Sequence, residues 1–167
     1  DAPPAGKAPR RPDTLAQLPP PAGDAEGAMR LYEYPHFSEQ QPSPVALVWP
    51  ATRRFDAGEQ LLAELFFDNV ASDATTNLYS LFIDSRSRQL DTGTRDISAS
   101  VGEWGGHPVA IHFSDVPPAA MTDAGLRALR QVVVDELARI AAWPDGSADL
   151  KAFNQRLANR VLERERQ

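Results

Sequence analysis

The sequence predicts an α+β fold, a two-layer sandwich whose mostly antiparallel sheet carries helices on one face. Two observations lead to this class. Strand and helix patterns come in pairs, in the order strand, strand, helix, helix, strand, strand, helix, helix. The central strand pair alternates apolar with polar residues, so that only one face of the sheet needs a cover of helices.

The composition fits one compact domain with an additional tail. The chain has 167 residues, of which 42% are hydrophobic and 24% are charged. Its formal net charge of -6 argues against a nucleic-acid-binding surface, and no apolar run is long enough to span a membrane. The absence of cysteine excludes disulfides, thiol catalysis and thiolate metal sites.

Residues 1–26 are rich in Pro, Ala and Gly and have almost no large apolar side chains. Such a composition cannot form a core, so we interpret this stretch as a mobile linker or extended arm. A linker at this place suggests that a further segment of a larger protein precedes it. Residues 27–167 are then expected to form a single α+β domain.

Two strands are expected before the first helix. The segment "AMRLYEY", from Ala28, alternates apolar with polar residues and ends at Pro35. The segment from Val45 to Trp49 is a continuous apolar run between two prolines, a pattern typical of a strand that is buried on both faces.

The first helix is expected to begin at Asp56, which has the spacing of a capping box with Glu59. The second helix opens near Thr75 or Thr76 and becomes strongly polar from Asp84 onwards. The apolar stripe of the first helix is formed by Leu61, Leu62, Leu65, Phe66 and Val70.

A hairpin from Asp96 to Ser114 follows, with the segment "GEWGGH" as its turn. The third helix is expected from about Thr122 to Trp143, and the fourth begins at Ser147 as N-cap. The hairpin directs Ile97, Ala99, Val101, Val109, Ile111 and Phe113 to one face. The third helix buries Leu126, Leu129, Val133, Leu137 and Ile140, and the fourth buries Leu150, Phe153, Leu157 and Val161.

Arg86 and Arg88, in the polar end of the second helix, are the first candidates for a binding contact. A guanidinium is a planar fork that suits a peptide carbonyl or carboxylate. The alternative is a solvated helix end, where cations also interact favourably with the helix dipole. The run of charges favours the solvated helix end.

The hairpin supplies the remaining candidates. Ser98, Ser100 and His112 are expected on its polar face, where a partner module can pack. Trp104, in the turn, is either an exposed aromatic contact or a side chain that packs over the turn. His107 and His112 lack the third ligand that a zinc site needs, so we expect no metal, no cofactor and no catalytic residue in this chain.

The order of the elements, with the segments "TNLYSLF" and "LRALRQVVVDELARI", resembles one half-module of the pitrilysin/insulinase family of zinc metallopeptidases. The resemblance runs from about Ala28 to the C-terminus and implies the LuxS/MPP-like type of α+β fold. In that family two similar halves enclose a substrate chamber, and one half carries an inverted zinc motif, H-x-x-E-H, on its first helix. The other half has no metal and contacts the substrate.

The chain resembles the half without metal. Where the zinc motif would lie it reads "LLAEL", in which Leu61 and Leu65 replace both ligands and Glu64 keeps the spacing of the general base. We expect both leucines in the core and Glu64 exposed, so the resemblance implies zinc only in a missing catalytic half. An Arg–Tyr pair that holds the substrate backbone in several family members is replaced by Ile83 and Leu90, and this clamp is not carried over.

The expected function is that of a non-catalytic module that closes the chamber and shapes the peptide path of a zinc-dependent metalloendopeptidase. Its partners are then a catalytic half, in the same or another protein, and a peptide substrate, with no nucleic acid and no membrane. The resemblance favours the periplasm or cell envelope. Two alternatives stay open: a structural assembly subunit of the same fold, and a free-standing α+β ligand-binding domain.

Overall fold

The described residues form one antiparallel sheet and four α-helices. The computed structural model describes residues 29–30, 38–49, 54–102 and 108–166, and all elements lie in the unit His36–Gln167. The predicted α+β class is confirmed. In chain order the elements are β1 (Ser43–Trp49), α1 (Ala57–Val70), α2 (Asn77–Phe82), β2 (Asp96–Val101), β3 (Val109–Val116), a 3-10 helix (Pro118–Ala120), α3 (Asp123–Ala141) and α4 (Ala148–Glu165).

β3 is the central strand of the described sheet, and both neighbours run antiparallel to it, in the order β1-β3-β2. Ile111 of β3 lies opposite Leu47 of β1 and Ala99 of β2. Ile111 and Phe113 are fully buried. Because successive side chains of a strand point to opposite faces, His112 points away from the core.

A β-bulge interrupts the pairing of β1 with β3. Val45 lies opposite Phe113, but Ser43 lies opposite Val116, so β3 has one extra residue in this interval. Asp115 has a φ of 57° in the left-handed region, where aspartate is tolerated better than most residues. As a result the buried positions of β3 change from odd to even numbers, and Val116 returns to the core.

β1 is only half buried, in contrast to the prediction. Its side chains alternate between half-buried and exposed, and Val48 is 60% exposed. The prediction that this apolar run is buried on both faces was wrong, because only Val45, Leu47 and Trp49 pack against the core.

Several predictions concern residues that lie partly or wholly outside the described ranges. The linker over 1–26 and the hairpin turn at 103–107 lie outside the described residues. Of the strand expected from Ala28, only Met29 and Arg30 are described, and they have no regular secondary structure.

The core has an aromatic contact at its centre. The rings of Phe82 in α2 and Phe113 in β3 meet edge to face, with centroids 5.0 Å apart. Leu129 and Val133 of α3 are also completely or almost completely buried in the same cluster. Burying one such side chain stabilises the fold by about 1.5–3 kcal/mol, so these contacts fix α2 and α3 on the inner face of the sheet.

The helix starts agree with the predicted ones, and Asp56 and Ser147 cap their helices as the sequence indicated. Asp56 accepts a hydrogen bond from the amide of Glu59, whose carboxylate accepts one from the amide of Asp56. Thr122 and Ser147 accept from the third residue beyond them, at the starts of α3 and α4. Thr76 precedes α2 without a side-chain cap.

The predicted apolar stripe of α1 is wrong in its first half. Leu61 and Leu62 are 47% and 65% exposed. The buried residues of α1 are Leu65, Asn69 and Val70, all in its second half. The first half of α1 extends beyond the elements that pack against its second half. The spacing of the apolar residues therefore predicts which face of α1 is turned to the core, but not how much of that face is buried.

α4 lies beside α1 and runs in the opposite direction, because Arg160 pairs with Asp68 and Arg164 pairs with Glu64. The prediction that α4 buries four apolar residues is wrong. Only Phe153 is buried, and Leu150, Leu157 and Val161 keep part of their surface accessible.

Polar contacts take the place of the missing apolar ones. Arg156, Arg160 and Arg164, here called the arginine ladder, follow each other at four-residue spacing and therefore lie on one side of α4. Arg156 donates to Asn77 Oδ1 at 2.7 Å, and Arg160 donates to Asp73 Oδ2 at 2.8 Å. The ladder thus connects α4 with α1, α2 and the loop between them.

Two glycines with left-handed backbones provide a matched pair of substitutions. Gly93 and Gly146 have φ values of 72° and 75°. A Cβ atom on Gly93 would lie 2.7 Å from Pro117 Cδ, whereas nothing lies within 4 Å of a Cβ on Gly146. We expect Gly146→Ala to lower the free energy of unfolding by about 1 kcal/mol through backbone strain, and Gly93→Ala by at least about 1 kcal/mol more through overpacking. Urea titration measures both values, and equal losses would contradict the expectation.

Asp73 predicts a pH-dependent contribution to stability. Burial raises its pKa, but the hydrogen bonds from Thr75 and the charge of Arg160 outweigh this effect and leave the pKa below the ordinary value of 3.8. A carboxyl of this kind stabilises the folded state above its ordinary pKa, and the contribution is lost as the pH falls through the folded-state pKa. Because its side chain is 55% exposed, we expect Asp73→Asn to lower the free energy of unfolding at pH 7 by only about 0.5 kcal/mol.

In strong acid the Asp73→Asn variant is expected to be as stable as the parent chain, which urea titration at both pH values measures. Asp145→Asn, in the exposed α3–α4 turn, is the control and should change little at either pH. A difference that persists in strong acid would show that the carboxylate charge is not the cause.

Candidate functional site

The sheet face that points away from the core is the first candidate site. His112 lies at its centre, opposite Ser98 of β2 and Ala46 of β1. One register step further, Ala110 lies opposite Ser100 and Val48. The side chains are exposed or half-buried. The open face, as we call it, comprises Ala46, Val48, Ser98, Ser100, Ala110 and His112.

The open face brings together three of the candidates from the sequence, Ser98, Ser100 and His112. Ser100 Oγ is 3.2 Å from His112 Nε2, a diagonal cross-strand contact. A nucleophilic serine needs a base that is held by a third group. Within the described residues the His112 ring donates no hydrogen bond to a carboxylate that could orient it. The pair is therefore interpreted as a surface hydrogen bond that fixes two polar side chains.

The segment that matches the zinc motif has a structural role. In the described part of the chain, no group of three or more His, Asp or Glu residues could hold a metal ion. Leu65 is buried as expected, but the prediction that Leu61 also points into the core is wrong. Glu64 accepts a hydrogen bond from Gln60 Nε2 at 3.1 Å and lies 3.5 Å from Arg164 Nη1. Glu64 thus joins α1 to α4 and is only partly exposed.

Arg86 and Arg88 lie in a turn and not on a helix, because α2 ends at Phe82. Asp84 Oδ1 accepts a hydrogen bond from the Arg86 amide at 3.0 Å, which competes with a further helical turn. This bond, together with the Arg86 charge, also holds the pKa of Asp84 below its ordinary value. The placement on a helix end was therefore wrong.

Arg86 is solvated, in line with the favoured interpretation, whereas the Arg88 side chain is only 33% exposed. The Arg86 side chain is 90% exposed and lies 3.5 Å from Asp84 Oδ1. Arg88 Nη2 lies 2.8 Å from Asp91 Oδ2. Each guanidinium has a carboxylate partner close to it in sequence, and the two do not converge with the open face in any described contact. The candidates Trp104 and His107 lie outside the described residues.

A groove of about 240 Å³ beside α3 is the second candidate site. It is lined by apolar, amide and charged side chains, which are Leu81, Gln89, Val132, Asp135, Glu136 and Arg139. Glu136 is only 5% exposed, the most buried carboxylate among the described residues.

Both carboxylate oxygens of Glu136 accept hydrogen bonds from the protein itself. Its Oε1 accepts from Asn77 Nδ2 at 2.6 Å and from Arg139 Nη2 at 2.8 Å. Its Oε2 accepts from Arg139 Nε at 2.7 Å, which completes a bidentate pair. Three of the about four acceptor positions of this carboxylate are taken by protein donors, so the groove is better explained as the edge of an interhelical contact.

The position of Glu136 in the sequence could have indicated that its side chain is buried. Glu136 lies three residues after Val133 and four before Ile140, in the apolar stripe of α3. A charged residue in that stripe, with Arg139 three residues later, indicates a buried ion pair.

Comparison of the chain with protein-family models, curated proteins and solved structures finds no match. None of the described helices has the length and apolarity that crossing a membrane requires. The residues of the chain itself therefore carry the functional interpretation.

Glu136→Gln is expected to lower the free energy of unfolding by about 2 kcal/mol, because one carboxylate oxygen becomes an NH2 group that faces a donor of Arg139 or Asn77, and the charge of the bidentate pair is lost. Asp135→Asn, at the neighbouring exposed position, is the matched control and should change it by less than about 0.5 kcal/mol. Chemical denaturation followed by circular dichroism measures both. Similar losses in the two variants would show that the buried network has no special role.

Proposed function

We propose that this chain is the non-catalytic half-module of a zinc-dependent metalloendopeptidase of the pitrilysin/insulinase type. In this proposal it adopts the two-layer sandwich of the LuxS/MPP-like type, closes the substrate chamber and packs on a catalytic half. The open face is the observation that carries the proposal, since it is a sheet surface of small and polar side chains with the apolar core on its other side.

The chemistry of the open face suits contact with a polypeptide. The small side chains of Ala46, Ala110 and the serines allow a peptide or a partner element to approach the sheet closely. The hydroxyls of Ser98 and Ser100 and the His112 ring can donate to or accept from peptide groups. Val48, 60% exposed, adds one apolar contact.

The chemistry of α1 assigns zinc to the partner in this proposal. Leucine has no atom that ligates a metal, and Leu61 and Leu65 occupy the places of the motif's two ligands. Glu64 is engaged with Gln60 and Arg164. The catalytic half, in the same polypeptide or another, would supply the metal, the general base and the activated water.

The test begins with a search for an H-x-x-E-H half in the reading frame that encodes the chain and in the neighbouring genes. That half is purified with and without the chain, and hydrolysis of a quenched fluorescent peptide is measured together with the zinc content. We expect the chain alone to bind no zinc and to cleave no peptide, and we expect the complex to do both.

Ser100→Arg introduces a large cation on the open face and should reduce complex formation and hydrolysis about tenfold, which corresponds to 1.4 kcal/mol. Arg86→Ala, in the exposed turn, is the control and should leave both unchanged. Circular dichroism checks that the Ser100→Arg chain is folded.

Three outcomes would overturn the proposal. The first is that neither the reading frame nor its neighbourhood encodes an H-x-x-E-H half. The second is one tightly held zinc per chain, with chelator-sensitive hydrolysis by the chain alone. The third is a stable complex without hydrolysis, which would indicate a structural assembly subunit instead.

A further inference from the structure

α4 is attached to the domain by one buried apolar side chain and several polar contacts. Of its 18 residues only Phe153 is buried, whereas α3 buries four of its 19 residues. The Phe153 ring packs against Phe66 of α1 and Trp143 of the α3–α4 turn, with centroid distances of 5.6 Å in both cases. The apolar attachment is therefore concentrated at one point near the start of the helix.

The middle of α4 is held by a buried amide. Asn69 has no accessible surface, and its Nδ2 donates to the Phe153 carbonyl oxygen at 3.0 Å. Its Oδ1 accepts from Arg160 Nε at 3.3 Å. Arg160 also reaches Asp68 at 3.2 Å and Asp73 at 2.8 Å, so this one side chain links α4 to three acceptors.

When α4 packs on the domain, the Arg156 guanidinium is only partly hydrogen-bonded. Its Nη2 donates to Asn77, but its buried Nε has no hydrogen-bond acceptor among the described residues. Its guanidinium carbon instead lies 5.4 Å from the centroid of the Phe153 ring. Burial, together with the nearby charge of Arg160, lowers the pKa of Arg156. A charge that is poorly solvated in the docked state reduces the free energy needed to release the helix.

We propose that α4 is a detachable strap, which leaves α1 and unfolds as one unit while the sheet and α1 to α3 stay folded. The turn at 142–147 is its hinge and contains Pro144 and Gly146, the latter with open space around it. Release uncovers Phe66, Asn69 and Trp143. Release of α4 does not require a catalytic half, so this proposal is independent of the proposed function.

Hydrogen exchange detects this opening. Most of the stability of a helix in a protein comes from the packing of one of its faces, so α4 is expected to lose its hydrogen bonds once it is released. After correction for intrinsic rates, we expect the amides from Phe153 to Arg160 to exchange within about threefold of one another, as one cooperative unit. They should exchange at least about 100-fold faster than the amides of Leu129 to Val133 in α3. The experiment uses the full chain and residue-resolved NMR.

Two variants separate release of the strap from global unfolding. Ile111→Val weakens only the core of the sheet, so it should speed exchange in α3 about fivefold and leave α4 unchanged. Arg160→Gln weakens docking itself and should speed exchange in α4 about tenfold. Arg166→Gln, in the exposed last residues, is the control and should change neither.

The strap would be overturned by equal protection of α4 and α3. It would also be overturned by protection that declines steadily toward residue 165, which indicates fraying from the end. The same holds if Ile111→Val accelerates α4 as much as α3, or if Arg160→Gln has no effect on α4.

Discussion

The division of β3 into two faces is the constraint on which the other elements depend. Its inner side chains, Ile111 and Phe113, are fully buried, and Phe113 meets Phe82 to hold α2 on the sheet. Its outer side chain, His112, forms the centre of the open face. The same period-two alternation therefore produces both the core and the candidate surface. A shift in the register of β3 would change both faces at once.

Local patterns in the sequence predicted much of this architecture. The capping residues Asp56 and Ser147 identified two helix starts, because a cap depends only on residues three positions apart. The alternation around His112 identified the polar face for the same reason. The apolar spacing of Leu62 did not predict its exposure, because coverage depends on where neighbouring elements end.

Long-range polar contacts were beyond such patterns. Asn69 is buried because it bonds to Phe153, 84 positions away, and Glu136 because it bonds to Asn77, 59 positions away. The turn at Arg86 was missed because the hydrogen bond that the Asp84 carboxylate accepts from the Arg86 amide competes with the helix. The sequence placed Ser98, Ser100 and His112 together through alternation, but alternation specifies a surface and not the molecule that binds to it.

The bulge at Asp115 has a consequence for how the chain can vary in length. Up to Phe113 the odd-numbered residues of β3 are buried, and beyond the bulge Val116 takes over. Deletion of Asp115 would remove the extra residue of the bulge and leave Val116 in the alternation that already directs Phe113 inward. A one-residue slip between Val109 and Phe113 would instead exchange the two sets, with the methyl groups of Ile111 solvated and the His112 ring among buried side chains. β3 therefore tolerates a change of length at the bulge far better than within its regularly paired part.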